Sequence, residues 1–319
     1  MKRWFELQNA TLNVRYRRAE NSAGVLVTNQ VQHRESLRAR IKLDKRAHYS
    51  VNVGLFTGAR FTSGWDNTAL GPAPVQGNLA FKALYLAALP ITGIEVQVGG
   101  LYLVRGESTE ITSYDDDGYI MGERLSLRRP KQLFFDEISV TSAYFVGGVT
   151  DTYVPVSKRF RYIDEPNYQH YLVDKKIGKR AGVSVDYTTE IGRKTWRQAT
   201  KLATKELVVS DAITLELYER TNGTTGNGFA LSLDKTINKH FTITGGYADV
   251  DPNYGPLNGD RFSIGKRVFA IPTFIAGPLT ASMFLSTAVG ENATLPQSTL
   301  SMVVLGYNVL PALRRTGLF

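Results

Sequence analysis

The chain has 319 residues, 43% of them hydrophobic, with 29 glycines, 16 tyrosines and 15 phenylalanines, and a net charge of +9 from 38 Lys and Arg against 29 Asp and Glu. It has no cysteine, which excludes a disulfide framework, thiolate metal sites and a cysteine nucleophile. No run approaches the roughly eighteen apolar residues of a transmembrane helix, although membrane strands that are only half apolar pass that filter.

From the N-terminus, MKRWFELQNA carries two basic residues but no apolar stretch after them, so it is not a secretory signal. The first strand pattern is Leu12, Val14 and Tyr16 alternating with Asn13, Arg15 and Arg17. SLRARIKLDKRAHYSVNVGLF (36–56) then holds two alternating runs around one short turn. Leu37, Ala39, Ile41 and Leu43 interleave with Arg38, Arg40, Lys42 and Asp44, and Tyr49, Val51, Val53 and Leu55 with Ser50, Asn52 and Gly54. A period of two places each set on its own face of a strand. Leu79, Phe81, Ala83, Tyr85 and Ala87 share one parity, and Ile94, Val96, Val98, Gly100 and Tyr102 the next. The same alternation returns at 181–187, 213–217, 229–233, 241–247, 279–285 and 300–304. WRQATKLATKELVV (196–209) has a thin helical stripe but is read as a strand with Arg197, Lys201 and Lys205 on one face.

Connections alternate in length. Residues 44–47, 90–93, 128–132 and 236–240 are short links, whereas 57–77, 107–118, 147–167 and 250–260 are long. Short turns on one side and long loops on the other are the habit of outer-membrane barrels, and a soluble sandwich has no reason to keep them in phase. The expected fold is therefore all-β: a transmembrane antiparallel up-and-down barrel of about sixteen strands, with fourteen to eighteen allowed by the spacing. An even count puts both termini on the turn side. Closure also removes the sheet edges and satisfies every backbone group internally. No composition shift divides the chain, so residues 1–319 are read as one domain.

In these features, together with the aromatic load and the terminal Phe319, the chain resembles the bacterial outer-membrane porins. FTSGWDNTALG (61–71) adds to the likeness. LGYNVLPALRRTGLF (305–319) departs from it, since Pro311 and a basic pair set Phe319 beyond the last alternating strand. The resemblance implies a water-filled passive channel for small hydrophilic solutes in a bacterial outer membrane, with this numbering that of a mature chain. It implies membrane lipids, lipopolysaccharide and the barrel-assembly machinery as partners, and it makes a homo-oligomer a natural state. It also implies a constriction where a basic wall faces acidic groups on an inward-folded loop. The matching residues are Arg15, Arg17, Arg38, Arg40 and Lys42 on the first two strands, opposite Asp115, Asp116 and Asp117, with Glu110 beside them. An anion-leaning lumen follows. The plainer reading pairs those arginines with Glu95, Glu123 or Asp44 across neighbouring strands. Tyr49, Tyr85, Tyr102, Tyr119, Tyr187 and Tyr247 are the expected interfacial girdle.

Other chemistries find little support. Asp115-Asp116-Asp117-Gly118 lacks calcium-loop spacing. No nucleotide or nucleic-acid signature is present, so neither a cofactor nor nucleic acid is expected. His48, Ser50 and Asn52 share a face, as a lipid-modifying barrel enzyme would need, but on the polar side, so no catalysis is expected. A soluble β-sheet protein with an aromatic carbohydrate groove would suit the mean hydropathy of −0.18. It leaves the phased connections unexplained.

Overall fold

The computed structural model describes residues 4–58, 64–114, 119–129, 134–145, 156–204, 209–254, 261–290 and 298–316. The first strands are β1 (Phe5–Glu20), β2 (Leu26–Lys42), β3 (Tyr49–Thr57), β4 (Asp66–Asn67), β5 (Leu79–Ile91), β6 (Ile94–Tyr102), β7 (Tyr119–Leu127) and β8 (Glu137–Tyr144). A short helix, α1 (Val156–Arg159), precedes β9 (Tyr168–Ile177), β10 (Ala181–Glu190), β11 (Arg193–Ala203), β12 (Ala212–Arg220) and β13 (Gly226–Asn238). The chain ends through β14 (Phe241–Val250), β15 (Gly265–Ala276), β16 (Leu279–Ala288), β17 (Thr299–Asn308) and α2 (Leu310–Arg315). The 196–209 segment is a strand as far as Ala203, as its alternation predicts.

Each strand pairs antiparallel with the next, and β1 closes on β17 from Thr11↔Asn308 to Glu20↔Thr299. The two-residue β4 only extends the loop before β5 alongside β2, so the wall is a closed sixteen-strand barrel. At the turn end the links include 43–48, 92–93, 239–240 and 277–278; at the loop end they include 58–78, 103–118, 145–167 and 251–264. One loop-end link is only two residues, Ile191 and Gly192, with φ of 47° and 79°. Positive φ at both positions is what a tight hairpin turn requires.

Parity decides which way side chains point. On β1, Leu12, Val14 and Tyr16 are exposed outside while Arg15 is 3% exposed within. On β12, Leu215 and Leu217 are exposed while Thr214 and Glu216 are buried. On β17, Val303, Leu305 and Tyr307 are exposed while Leu300 and Met302 are buried. The apolar faces thus form the outer surface and the polar faces the interior, which inverts a soluble sandwich. Among the described residues, no helix is long and apolar enough to cross a membrane, a finding that says nothing of a barrel.

Two helices cover parts of the outer wall. Leu310 of α2 packs against Leu7, Ala10 and Ala39, which explains why outward Ala39 is buried. α1 packs by β5 and β6, and the 3-10 turn Phe160–Tyr162 meets β8. Tyr162 stacks on Tyr144 at 4.4 Å, and Arg159 donates to the Lys82 carbonyl at 2.8 Å.

The strand parities need correction at β5 and β6. Gly54 pairs with Ala83 but Leu55 with Phe81, so Lys82 is an extra residue in β5. A bulge of this kind shifts the side-chain alternation by one. Leu79 and Phe81 therefore face out, while Ala83, Tyr85 and Ala87 face in. Near the end of β6, Gly99 has φ of 128°. Beyond it Tyr102 lies edge-on to Tyr85 at 6.1 Å, within the interior. Tyr119 is fully buried against Phe56 and Tyr102, at 5.4 and 5.3 Å. Of the six girdle tyrosines expected, Tyr49, Tyr187 and Tyr247 keep the outer parity; Tyr85, Tyr102 and Tyr119 belong to a buried aromatic cluster.

Candidate functional site

The third loop-end connection, which follows β6, folds into the barrel and not away from it. Ile111 and Thr112 are 2% and 0% exposed, although they belong to no strand or helix. Buried backbone and hydroxyl groups need partners, and the inner walls of β10, β11 and β12 supply them. Ser184 Oγ accepts from Glu107 N at 2.9 Å. Glu216 accepts from Thr109 N at 2.9 Å and from the hydroxyls of Thr109 and Thr112. Arg197, held by Asp186 at 2.8 Å, donates to the Thr112 carbonyl at 3.0 Å. Tyr114 donates its hydroxyl to Glu190. Burial, and then the negative charge of Glu190, push the Tyr114 hydroxyl well above the usual tyrosine range, so it stays a donor.

A second loop joins the third inside. In the connection after β14, Tyr254 and Phe262 are buried, and Phe262 meets Phe269 and Phe284 edge-on at 5.2 Å each. Tyr254 donates to the same Thr112 carbonyl at 3.2 Å. The two loops are tied by Glu110, which pairs with Arg105 at 3.8 Å and with Arg261. Burial first, and then the cations Arg15, Arg34 and Arg105, disfavour the charged form of Arg261. The Glu110 carboxylate beside it holds that charge.

Along β17, β1 and β2 the interior stays open as a cavity of about 420 Å³. Arg15, Arg34, Arg38 and Arg261 line it, with Trp65 and a row of amides and hydroxyls. The Arg15 guanidinium sits 4.2 Å from the Trp65 ring centre and donates to Gln32 at 2.8 Å. Arg38 lies 4.7 Å from Tyr102 and 5.4 Å from Phe56. Flat aromatic faces stabilise a partly desolvated cation there. Gly54 makes room for the arrangement: a Cβ would come 2.6 Å from both the Phe56 ring and the Tyr102 hydroxyl.

The residues singled out from the sequence separate into three groups. Arg15 and Arg38 line the cavity, and Arg17 shares their inner parity, partly buried. Arg40 and Lys42 also face inward but lie nearer the turn end, where Arg40 donates to Asn52 at 3.2 Å and Lys42 pairs with Glu6 at 3.3 Å. Asp115, Asp116 and Asp117 lie outside the described residues, as does Phe319. Glu95 pairs with Arg128 at 2.7 Å. Arg34, Arg105, Arg261, Trp65 and Glu216 are additional. Arg34 shares the parity of Arg38, so the alternation could have found it; the loop residues carry no periodic signal.

The three residues of the enzyme constellation divide between a turn and the inner wall. His48 is half exposed at a turn, 3.8 Å from Asp44, whereas Ser50 is buried and accepts from Asn52 at 3.2 Å. Among the described residues, no group of His, Asp and Glu could hold a metal ion.

No family profile matches the chain, and no curated protein matches it in sequence. Its fold is similar to that of OmpF from Salmonella typhi, solved in complex with daunomycin, with TM-score 0.61, 11% identity and coverage of 95% of this chain and 97% of that one. A mutant of the Rhodopseudomonas blastica porin aligns with TM-score 0.60 and 10% identity over 95% and 99% of the two chains. OprB of Pseudomonas putida, in its low-pH structure, aligns with TM-score 0.58 and 8% identity over 96% and 93%. The chain has the closed-barrel fold of the bacterial porins.

Proposed function

We propose that the protein is a passive channel of porin type in a bacterial outer membrane, passing small hydrophilic solutes with a preference for anions. The observation that carries this reading is the pairing of an inward-folded, firmly anchored loop with an arginine-lined cavity inside a closed barrel. A row of fixed cations along an aqueous lane raises the local concentration of anions and repels cations. The exposed apolar belt suits hydrocarbon, and the interfacial tyrosines Tyr16 and Tyr49 suit headgroups. Lipid and lipopolysaccharide around the barrel, assembly by the barrel-insertion machinery and a homo-oligomeric state belong to the same proposal. The reading requires no catalytic residue.

The test is single-channel recording in a planar bilayer under a KCl gradient. Stable open steps with a reversal potential on the anion side are expected, moving toward cations when Arg15 and Arg38 are both changed to Glu. Protein that inserts yet carries no current, or a reversal potential indifferent to both changes, overturns the proposal.

A further inference from the structure

The cavity beside β17, β1 and β2 has more than a sign of charge, because its polar groups are ordered. Register places Asn9 opposite Arg38, Thr11 opposite Ser36, and Asn13 opposite Arg34. The wall therefore reads guanidinium, hydroxyl, guanidinium down β2, with amide, hydroxyl, amide beside it on β1. Arg34 and Arg38 stand four residues apart, roughly 13 Å along a strand. Between them the Thr11 and Ser36 hydroxyls hydrogen-bond at 2.6 Å. Met302, Val304 and Trp65 add an apolar side.

Each component suits a different part of one kind of ligand. A guanidinium fork binds two oxygens of a phosphate or carboxylate. Amides and hydroxyls, which both donate and accept, suit neighbouring hydroxyls of a polyol. Apolar and aromatic groups suit the C–H face of such a molecule. The volume, about 420 Å³, falls among sites that enclose a small organic molecule. The lining includes no Asp or Glu among the described residues; Glu110, beside the lining Arg261, is held between it and Arg105.

We propose that this cavity is a saturable binding site for a small polyhydroxylated organic anion with one terminal phosphate or carboxylate, the chemistry of a sugar phosphate or a sugar acid. The proposal rests on the channel reading, but its test uses binding and not current, so the two can fail separately. A bare inorganic anion would engage the arginines and leave the amide and hydroxyl row idle; a neutral sugar would do the reverse.

The experiment is calorimetric titration of the detergent-folded protein, paired with tryptophan fluorescence, using glucose 6-phosphate, gluconate, inorganic phosphate and glucose as probes. At least one of glucose 6-phosphate and gluconate should bind about tenfold or more tighter than either phosphate or glucose alone, since a site built for hydroxyls discriminates against ligands lacking them. Binding to both would make the oxyanion interchangeable; binding to one would identify it. Arg34→Gln should weaken the sugar anion and phosphate together. Asn13→Ala should weaken the sugar anion by about tenfold while leaving phosphate unchanged, and serves alone if Arg34→Gln does not fold. Phosphate binding as tightly as the sugar anions, glucose binding as tightly, or no binding by any probe overturns the site. A protein that conducts but binds none of the probes loses this proposal and keeps the channel; one that binds but never conducts keeps the site and loses the channel.

Discussion

Releasing the third loop tests how it is held inside the barrel. Glu216 is 0% exposed on the inner face of β12. Its carboxylate accepts the Thr109 N–H at 2.9 Å and two threonine hydroxyls from the loop. Hydrogen bonds to a charged group contribute roughly 1.5–3 kcal/mol each, and three sharing one acceptor group do not add fully, so Glu216→Ala should cost the loop about 4 kcal/mol of anchoring. At about 1.4 kcal/mol per factor of ten, local opening becomes roughly a thousandfold more frequent. Glu216→Gln keeps one acceptor oxygen and loses the charge, so its effect should be nearer tenfold, about 1.4 kcal/mol. Amide hydrogen exchange measured by mass spectrometry on the 105–114 peptide reads this opening directly. Tyr114 on Glu190 and Arg197 on the Thr112 carbonyl persist, so faster exchange should stay within the loop and spare β9 and β10. Unchanged loop protection in Glu216→Ala would refute the anchoring role. Equal loss of protection through the barrel strands would show that Glu216 supports the wall and not the loop.

Gly54→Ala puts a Cβ 2.6 Å from the Phe56 ring and Tyr102 hydroxyl that flank Arg38, and should lower stability by about 1–3 kcal/mol in urea titration of the detergent-folded protein. Backbone N–H groups of Tyr49, Lys176 and Thr236 hold the turn carboxylates of Asp44, Asp136 and Asp211, respectively, below the usual range. Because the folded pKa values lie below the unfolded value of about 3.9, this stabilisation is complete above that pH and disappears as pH falls through the folded values. The urea midpoint should accordingly drop below about pH 4, and less steeply in the triple Asp→Asn variant; parallel curves would refute the assignment. Leu215→Arg should cost about 2–4 kcal/mol in a bilayer near the hydrocarbon midplane, whereas an exposed leucine on a soluble protein tolerates the change within about 0.5 kcal/mol. Leu215 is 40% exposed, so a near-zero cost in vesicle-embedded protein would count against the membrane reading.

What was legible in the sequence was whatever repeats. Alternation on β1, β2, β12 and β17 identifies the strands and also which face is outside, because Leu12 and Leu215 point outward in the same sense as their neighbours of equal parity. The same rule fails within β5, where one added residue at Lys82 reverses Tyr85 and Ala87. A bulge leaves no mark in a hydrophobic pattern when both parities hold apolar residues, as Ala83, Leu84, Tyr85 and Leu86 do. Basic residues Arg15 and Arg38 were found because they interrupt no alternation. Arg261 and Trp65 reach the same cavity from loops, where spacing conveys nothing about direction. Glu216 was hidden for a different reason: on its strand it reads as one more inward polar residue, and only the loop docked against it gives it a role.

Those loop residues also explain an interior that is only partly polar. Ile111, Tyr254 and Phe262 pack with Phe269, Phe284 and Met302 into an apolar cluster within the barrel. Phe269 and Phe284 are inward strand residues that would be costly in a water-filled lumen, and the returning loops cover them. The loops therefore have two attachments of different kind. Apolar burial against β14–β17 sets their position, while Glu216, Glu190 and Arg197 set their orientation through hydrogen bonds. What remains open is the sector of β1 and β2 whose inward residues include Asn, Thr, Ser and Arg, flanked by Met302 and Val304 of β17. Arg15, Arg34 and Arg38 share that sector, with Arg34 and Arg38 four residues apart along β2.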